Sequence, residues 1–200
     1  MISHLHQCIF THVPKTGGKS VLAAFGLPMI GADYDGGLAH IEKPYGHRAL
    51  RNEREEHLAD YFCFAFVRDP LERLASAFFY LAEGGCNRFD AAYRDQYLSV
   101  YNGDFLAFVD ELELHTGHHH FRPQAWWLTS REGVLLPDFI GRYENLSSDF
   151  SRIADHIGLD TRSLTHLNAS RRPPTQACYT ESARRKAADI YAADFQLLGY

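Results

Sequence analysis

Apolar positions cluster in short runs, each interrupted by a polar stretch that carries glycine or proline. Cys8-Ile9-Phe10 is the first such run; it breaks into Thr11-His12-Val13-Pro14-Lys15-Thr16-Gly17-Gly18-Lys19-Ser20 and then resumes with helical spacing. This predicts a strand, a loop and a helix from Lys19 to Phe25, stopped by Gly26 and Pro28. Residues 29–46 are glycine-rich and aperiodic and read as loop, and a helix then runs toward Leu58. Tyr61-Phe62-Cys63-Phe64-Ala65-Phe66-Val67 is unbroken apolar sequence of strand length, the signature of a central parallel strand covered on both faces. Pro70 opens a helix whose apolar residues Leu71, Leu74, Ala75, Phe78 and Leu81 recur at helical spacing, closed by Gly84-Gly85. Residues 88–114 carry at least one helix, clearest from Phe105 to Leu112. Phe139 to Leu146 reads as a strand entering a helix that ends near Gly158, Leu167 to Pro174 as a basic, proline-broken loop, and Glu181 to Leu198 as a last helix capped by Thr180. Strands alternating with helices predict an α/β chain.

Composition narrows this. Two hundred residues, 46% of them hydrophobic, suffice for one sizeable core and predict a single domain over 1–200. A net charge of −5 with 12 histidines counted neutral argues against a nucleic-acid partner, so any polyanion site must be local. The longest apolar runs fall short of the ~20 residues of a membrane helix, and no signal-peptide pattern opens the chain. A soluble chain without integral membrane association is expected. Of the 4 cysteines, Cys8 and Cys63 fall in predicted strands and Cys86 and Cys178 in polar loops, which reads as thiols rather than a disulfide framework, hence a reducing cytoplasm.

The candidate chemistry starts at the glycine pair. Gly17 and Gly18 let the backbone curl so that successive N–H groups face one anion, and Lys15 adds a full positive charge. Gly18-Lys19-Ser20 matches the end of the nucleotide-triphosphate loop, G-x-x-x-x-G-K-[ST], but Val13, poor at positive φ, stands where that loop has its first glycine. A second segment, Arg68-Asp69-Pro70-Leu71-Glu72-Arg73-Leu74-Ala75-Ser76-Ala77-Phe78, puts Arg68 just past a strand, at the sheet edge where open α/β folds bind ligands. Taken alone, it could be no more than a strand-end ion pair.

Together the two segments resemble the carbohydrate sulfotransferases, the family that includes heparan 2-O- and chondroitin 4-O-sulfotransferases. Thr11 to Gly18 is similar to that family's 5'-phosphosulfate loop, although Thr or Ser is usual there at the place of Lys19. The arginine segment matches R-[DN]-P-x-x-R-x-x-S-x-[FY] at every fixed position. The resemblance implies a three-layer sandwich around a parallel sheet, like that of the P-loop NTPases. It also implies transfer of a sulfuryl group from 3'-phosphoadenosine 5'-phosphosulfate to a hydroxyl, favoured as that of a carbohydrate, and a soluble, bacterial-type member or a trimmed chain. Pro14, Lys15, Thr16, Gly17, Gly18, Lys19 and Ser20 would then hold the 5' end of the donor, and Arg68 and Ser76 its 3'-phosphate. His47, in Gly46-His47, stands where the family has its proposed general base. His120-Phe121-Arg122-Pro123-Gln124 resembles a segment near the acceptor, which makes His120 and Arg122 substrate candidates. Arg142-Tyr143-Glu144 resembles the family's [RK]-[FY]-E segment, and Arg171 and Arg172 lie where relatives fold a basic loop over the nucleotide.

The chemistry is consistent with these residue types. Lys15 would neutralise charge on the bridging oxygen as adenosine 3',5'-bisphosphate leaves, and an imidazole with a pKa near ~6.5 suits a weak hydroxyl nucleophile. No metal is needed by this scheme, and His115, His118, His119 and His120 have no spaced acidic or cysteine ligand to complete a metal site. Two rivals stand beside it. One is an ATP-dependent kinase or NTPase using Gly18-Lys19-Ser20 and Asp69 with Mg²⁺; the other is a catalytically inactive nucleotide-binding protein.

Overall fold

The computed structural model describes residues 1–27, 41–42, 58–160, 164 and 174–200. The chain divides into two compact units, neither continuous in sequence: residues 1–68 with 124–168, and residues 69–123 with 169–200. The first crossing falls within Arg68-Asp69-Pro70, where no linker composition marks it, and the last falls within the basic, proline-broken stretch from Leu167 to Pro174.

The first unit holds a five-stranded sheet in the order β3-β1-β2-β4-β5, made of β1 (Ile2–Ser3), β2 (Cys8–Thr11), β3 (Ile41–Glu42), β4 (Phe62–Val67) and β5 (Phe139–Arg142). The three longer strands are parallel, with Thr11 opposite Ala65 and Val67 opposite Arg142. The unbroken apolar run of β4 predicts this arrangement. At the margin β1 runs antiparallel to both β2 and β3. That part corrects the reading of 29–46 as loop, because Ile41–Glu42 pairs as a strand too short to show any periodicity.

Side chains alternate across the strands and so divide between two clusters. Cys8, Phe10, Phe64 and Phe66 pack with Val21 of α1 (Gly18–Ala24), with Phe25 just past its end, and with Leu146, Phe150 and Ile153 of α6 (Leu146–Ile157). Ile9 and Cys63 point the other way, toward Ile2 and Leu58. Burial pushes the Cys8 thiol up to about 12, against the lowering influence of the N-terminal ammonium.

In the second unit α2 (Pro70–Ala82) starts on Asp69, whose Oδ1 accepts from the amides of Leu71 and Glu72 at 2.9 Å each. Its buried face includes all five apolar residues named from the spacing. The stretch read as at least one helix holds α3 (Arg88–Tyr93), a π turn over Arg94–Leu98, and α4 (Phe105–Asp110). The last helix is two, Glu181–Ile190 and Ala192–Leu198. The break falls at Tyr191, whose fully buried side chain donates to the Phe121 carbonyl at 2.6 Å while its own carbonyl accepts from the amides of Asp194 and Phe195. A helical hydrophobic period shows which face is inward but not where the backbone leaves the helix. Among the described residues no helix is long and apolar enough to cross a membrane.

Candidate functional site

The loop between β2 and α1 is built by its own residues. Val13 and Pro14 are buried, and the buried Thr16 hydroxyl donates to the Val13 carbonyl at 2.9 Å, closing a tight turn. Inside this turn Lys15 is held at φ 72°, a left-handed conformation that L side chains rarely adopt, and Gly17 follows at φ 85°. Non-glycine residues kept in that region concentrate at ligand sites. Val13 is not among the residues of positive φ, so the chain departs from the nucleotide-triphosphate loop in conformation as well as in sequence.

The two glycines are required for different reasons. A side chain at Gly17 would be strained by φ and would lie 2.7 Å from Leu146 Cδ2. Gly18 has no unusual φ; a methyl there would run into the ring of His12, which stacks on Phe10 at 5.6 Å. Gly17 caps α1 without a side-chain acceptor, and its carbonyl accepts from the amides of Ser20 and Val21 at 2.9 and 3.4 Å. At such a helix start the amides of Gly18 and Lys19 have no carbonyl one turn earlier to receive them.

Arg68 follows β4, the strand beside β2 and parallel to it, so the loop and Arg68 leave the sheet at the same edge. Two residues hold it. Gln124, fully buried at the start of α5 (Ala125–Leu128), accepts the Arg68 N–H on Oε1 at 3.0 Å and donates from Nε2 to the Arg68 carbonyl at 2.7 Å. Tyr143, just past β5, lies under the guanidinium, with Cζ 4.2 Å from the ring centroid. The same ring reaches the loop: its Cδ2 is 3.3 Å from where a Gly17 Cβ would stand. One tyrosine therefore lies under the arginine and leaves no room for a side chain at Gly17 of the loop.

The remaining described candidates lie in the second unit. Ser76 is on the buried face of α2. His120 and Arg122 belong to a turn in which Arg122 Nη2 donates to the Gly117 carbonyl at 2.7 Å. Three successive carbonyls of that turn are taken by buried donors. Arg73 Nη1 reaches His120 at 3.0 Å, the Tyr191 hydroxyl reaches Phe121, and Arg73 Nη2 reaches Arg122 at 2.6 Å. Arg73 is fully buried, which makes it the structural support of this turn. Ligand atoms of His118, His119 and His120 lie within 4.8 Å of one another. Two guanidinium groups bonded into the same turn raise the cost of placing a cation there. Asp69, the magnesium ligand of the kinase reading, has its Oδ1 committed to the start of α2. His47, Arg171 and Arg172 lie outside the described residues.

The structure thus brings the Pro14–Ser20 loop and Arg68 to the same sheet edge, with Tyr143 under Arg68 and beside Gly17. Sequence reasoning quoted the segments containing Tyr143 and Gln124 without assigning either residue a role. Their signal was position within those segments; their contacts depend on pairing across the fold.

A mixed α/β sheet, parallel through β2, β4 and β5, thus carries a lysine-bearing glycine loop and an arginine at one edge. The model of the Sulfotransferase family matches residues 1–200, and the chain belongs to that family. It is similar to carbohydrate sulfotransferase 14 of zebrafish (Danio rerio), 26% identical over an alignment of 182 positions that covers 79% of this chain and 48% of the relative. The chain therefore spans about half the length of that curated relative. No solved structure matches it.

Proposed function

We propose that the protein transfers the sulfuryl group of 3'-phosphoadenosine 5'-phosphosulfate to a hydroxyl of a carbohydrate acceptor. Family membership supports the reaction class, and the name of the zebrafish relative supports the acceptor class. The observation that carries the reading is that the glycine loop and Arg68 leave the sheet at the same edge, with the Tyr143 ring under the Arg68 guanidinium and beside Gly17.

In this reading the backbone from Pro14 to Ser20 binds the 5' end of the donor, with the amides of Gly18 and Lys19 directed at its oxygens. Arg68 binds the 3'-phosphate as a forked donor, the feature that separates this nucleotide from ATP. Ser76 adds a hydroxyl for the same phosphate. Lys15, held in its strained conformation, neutralises the bridging oxygen as the sulfur–oxygen bond breaks, while the acceptor oxygen forms the new bond. His47 takes the acceptor proton, His120 and Arg122 orient the acceptor, and Arg171 and Arg172 close over the nucleotide. Lysine and backbone dipoles carry the charge in this scheme, so it calls for no metal. Cys8, Cys63, Cys86 and Cys178, none of them in a disulfide, support a reducing, cytoplasmic setting.

Thermal shift tests the assignment. Adenosine 3',5'-bisphosphate should raise Tm in the presence of EDTA, and ATP should do so far less. Equal shifts, or a strict need for Mg²⁺, would reject it in favour of a nucleotide-triphosphate enzyme. Turnover with labelled donor across glycans and simple alcohols then separates an active transferase from an inactive binder.

A further inference from the structure

We infer that Gln124 is the positioning residue for Arg68 and thereby sets how strongly the protein distinguishes a 3'-phosphorylated nucleotide from one without that phosphate. The inference rests on the reading of Arg68 as the 3'-phosphate ligand.

It begins with a backbone problem. The β4–β5 ladder ends at the pair Val67 and Arg142, so Arg68 stands one residue past its last registered partner, with an N–H and a carbonyl to satisfy. Gln124 satisfies both, Oε1 taking the N–H and Nε2 giving to the carbonyl. A primary amide is suited to this because it presents an acceptor and a donor side by side, much as a residue of a neighbouring strand does. The orientation of the amide follows from the partners: only oxygen can face the N–H and only nitrogen the carbonyl.

Gln124 is itself fixed. Its side chain is fully buried, and its carbonyl accepts from the Trp127 amide at 2.9 Å in the first turn of α5. A clasp anchored in this way holds the backbone of Arg68 and so the direction in which its side chain leaves the chain. Tyr143 supports the opposite end, under the guanidinium. An unrestrained arginine loses considerable rotamer freedom on gripping an anion. One held at its backbone and under its charged group has given up much of that freedom before the ligand arrives. Gln124 makes no claim on the ligand; it acts through Arg68.

The role predicts a specific effect on binding. Adenosine 3',5'-bisphosphate and adenosine 5'-monophosphate share every group except the 3'-phosphate, so the ratio of their Kd values isolates the Arg68 end of the site. Calorimetric titration of the full chain should show Gln124→Leu weakening the bisphosphate by about tenfold, with the monophosphate changed less than about twofold. The ratio should approach that of Arg68→Ala, and adding Gln124→Leu to Arg68→Ala should not change it further. Gln124→Glu keeps the acceptor for the Arg68 N–H and loses the donor, so its ratio should fall between wild type and Gln124→Leu; it also carries the comparison should the leucine variant fail to fold. Weakening of both nucleotides in parallel would mark a merely structural residue and overturn the inference, as would an unchanged ratio in a wild type that discriminates. A wild-type protein that binds the two nucleotides equally overturns the reading of Arg68 itself, and this inference with it.

Discussion

The Val13–Ser20 loop takes its turn from neighbours in sequence, the Thr16 hydroxyl reaching back to Val13 and the His12 ring filling the space beside Gly18, with Leu146 and Tyr143 packed only beside Gly17. Arg68, at the same sheet edge, is held by residues far along the chain, Gln124 at a separation of 56 and Tyr143 beyond it. A grip made of local bonds can take its shape once the strand and helix beside it exist. A grip made of distant bonds exists only when β4, β5 and α5 have found their places, and its precision depends on the whole unit.

The largest effect is expected at the loop's charge. Lys15→Ala should lower turnover at saturating donor by about 10²–10³-fold, since it removes a donor aimed at charge formed in the transition state, while affinity for the bisphosphate changes much less. Steady-state rates beside calorimetry test this, and a fully active variant would remove Lys15 from the chemistry. Gly18→Ala should destabilise the protein by about 1–3 kcal/mol through overpacking against His12. The double variant His12→Ala/Gly18→Ala should recover most of that loss in thermal denaturation. If the single change is neutral, the loop is not built by the local contacts described.

The distant grip should respond more weakly and in binding rather than stability. Tyr143→Ala is expected to lose about 0.5–2 kcal/mol of bisphosphate affinity with the cation–π support, whereas Tyr143→Phe keeps the ring and should stay close to wild type. Equal losses in the two would assign the effect to the hydroxyl instead. Lys15→Gly should raise unfolding free energy by about 1 kcal/mol by relieving the left-handed backbone, even as turnover falls. Urea titration of the two proteins measures that trade.

The smallest effect lies away from both grips. His115 has the Tyr93 hydroxyl on Nδ1 and the Tyr101 hydroxyl on Nε2, each at 2.8 Å, and burial lowers its pKa despite the opposing pull of Glu111. With the folded value below the unfolded one, the unfolded chain binds the proton more readily in the interval between them. Stability should therefore fall as pH drops below about 6.5, and His115→Gln should flatten that slope in pH-dependent denaturation.

Much of the loop could be read from its own residues. The apolar run before it, the glycine pair and Lys15 mark a strand, an anion turn and a helix, and β4 with α2 follow from an unbroken apolar run and a helical period. What remained hidden was of another kind. Gly18 looked like a residue needed for backbone freedom, yet the His12 ring is what demands a glycine there. Arg73 sat on a motif as one more cation and proved to be the buried support of the 120–122 turn. The last helix kept its period straight through Tyr191, where the backbone departs from helical angles at φ −98° and ψ 20°.

Taken by itself, the amino-acid sequence determined the order of the longer elements, their inward faces, the place of the glycine–lysine loop after the first long strand and the presence of an arginine just past the apolar strand that follows. Those features depend on residue spacing over one turn or a few strand positions, which is the range that hydrogen-bond geometry and side-chain period span. Only the tertiary structure decided that β2 and β4 lie side by side, that Gln124 completes the backbone of Arg68, and that one tyrosine ring lies under Arg68 and beside Gly17. Pairings of that sort join segments whose separation along the chain carries no signal, because any of several strands or turns could satisfy the same buried groups until packing selects one.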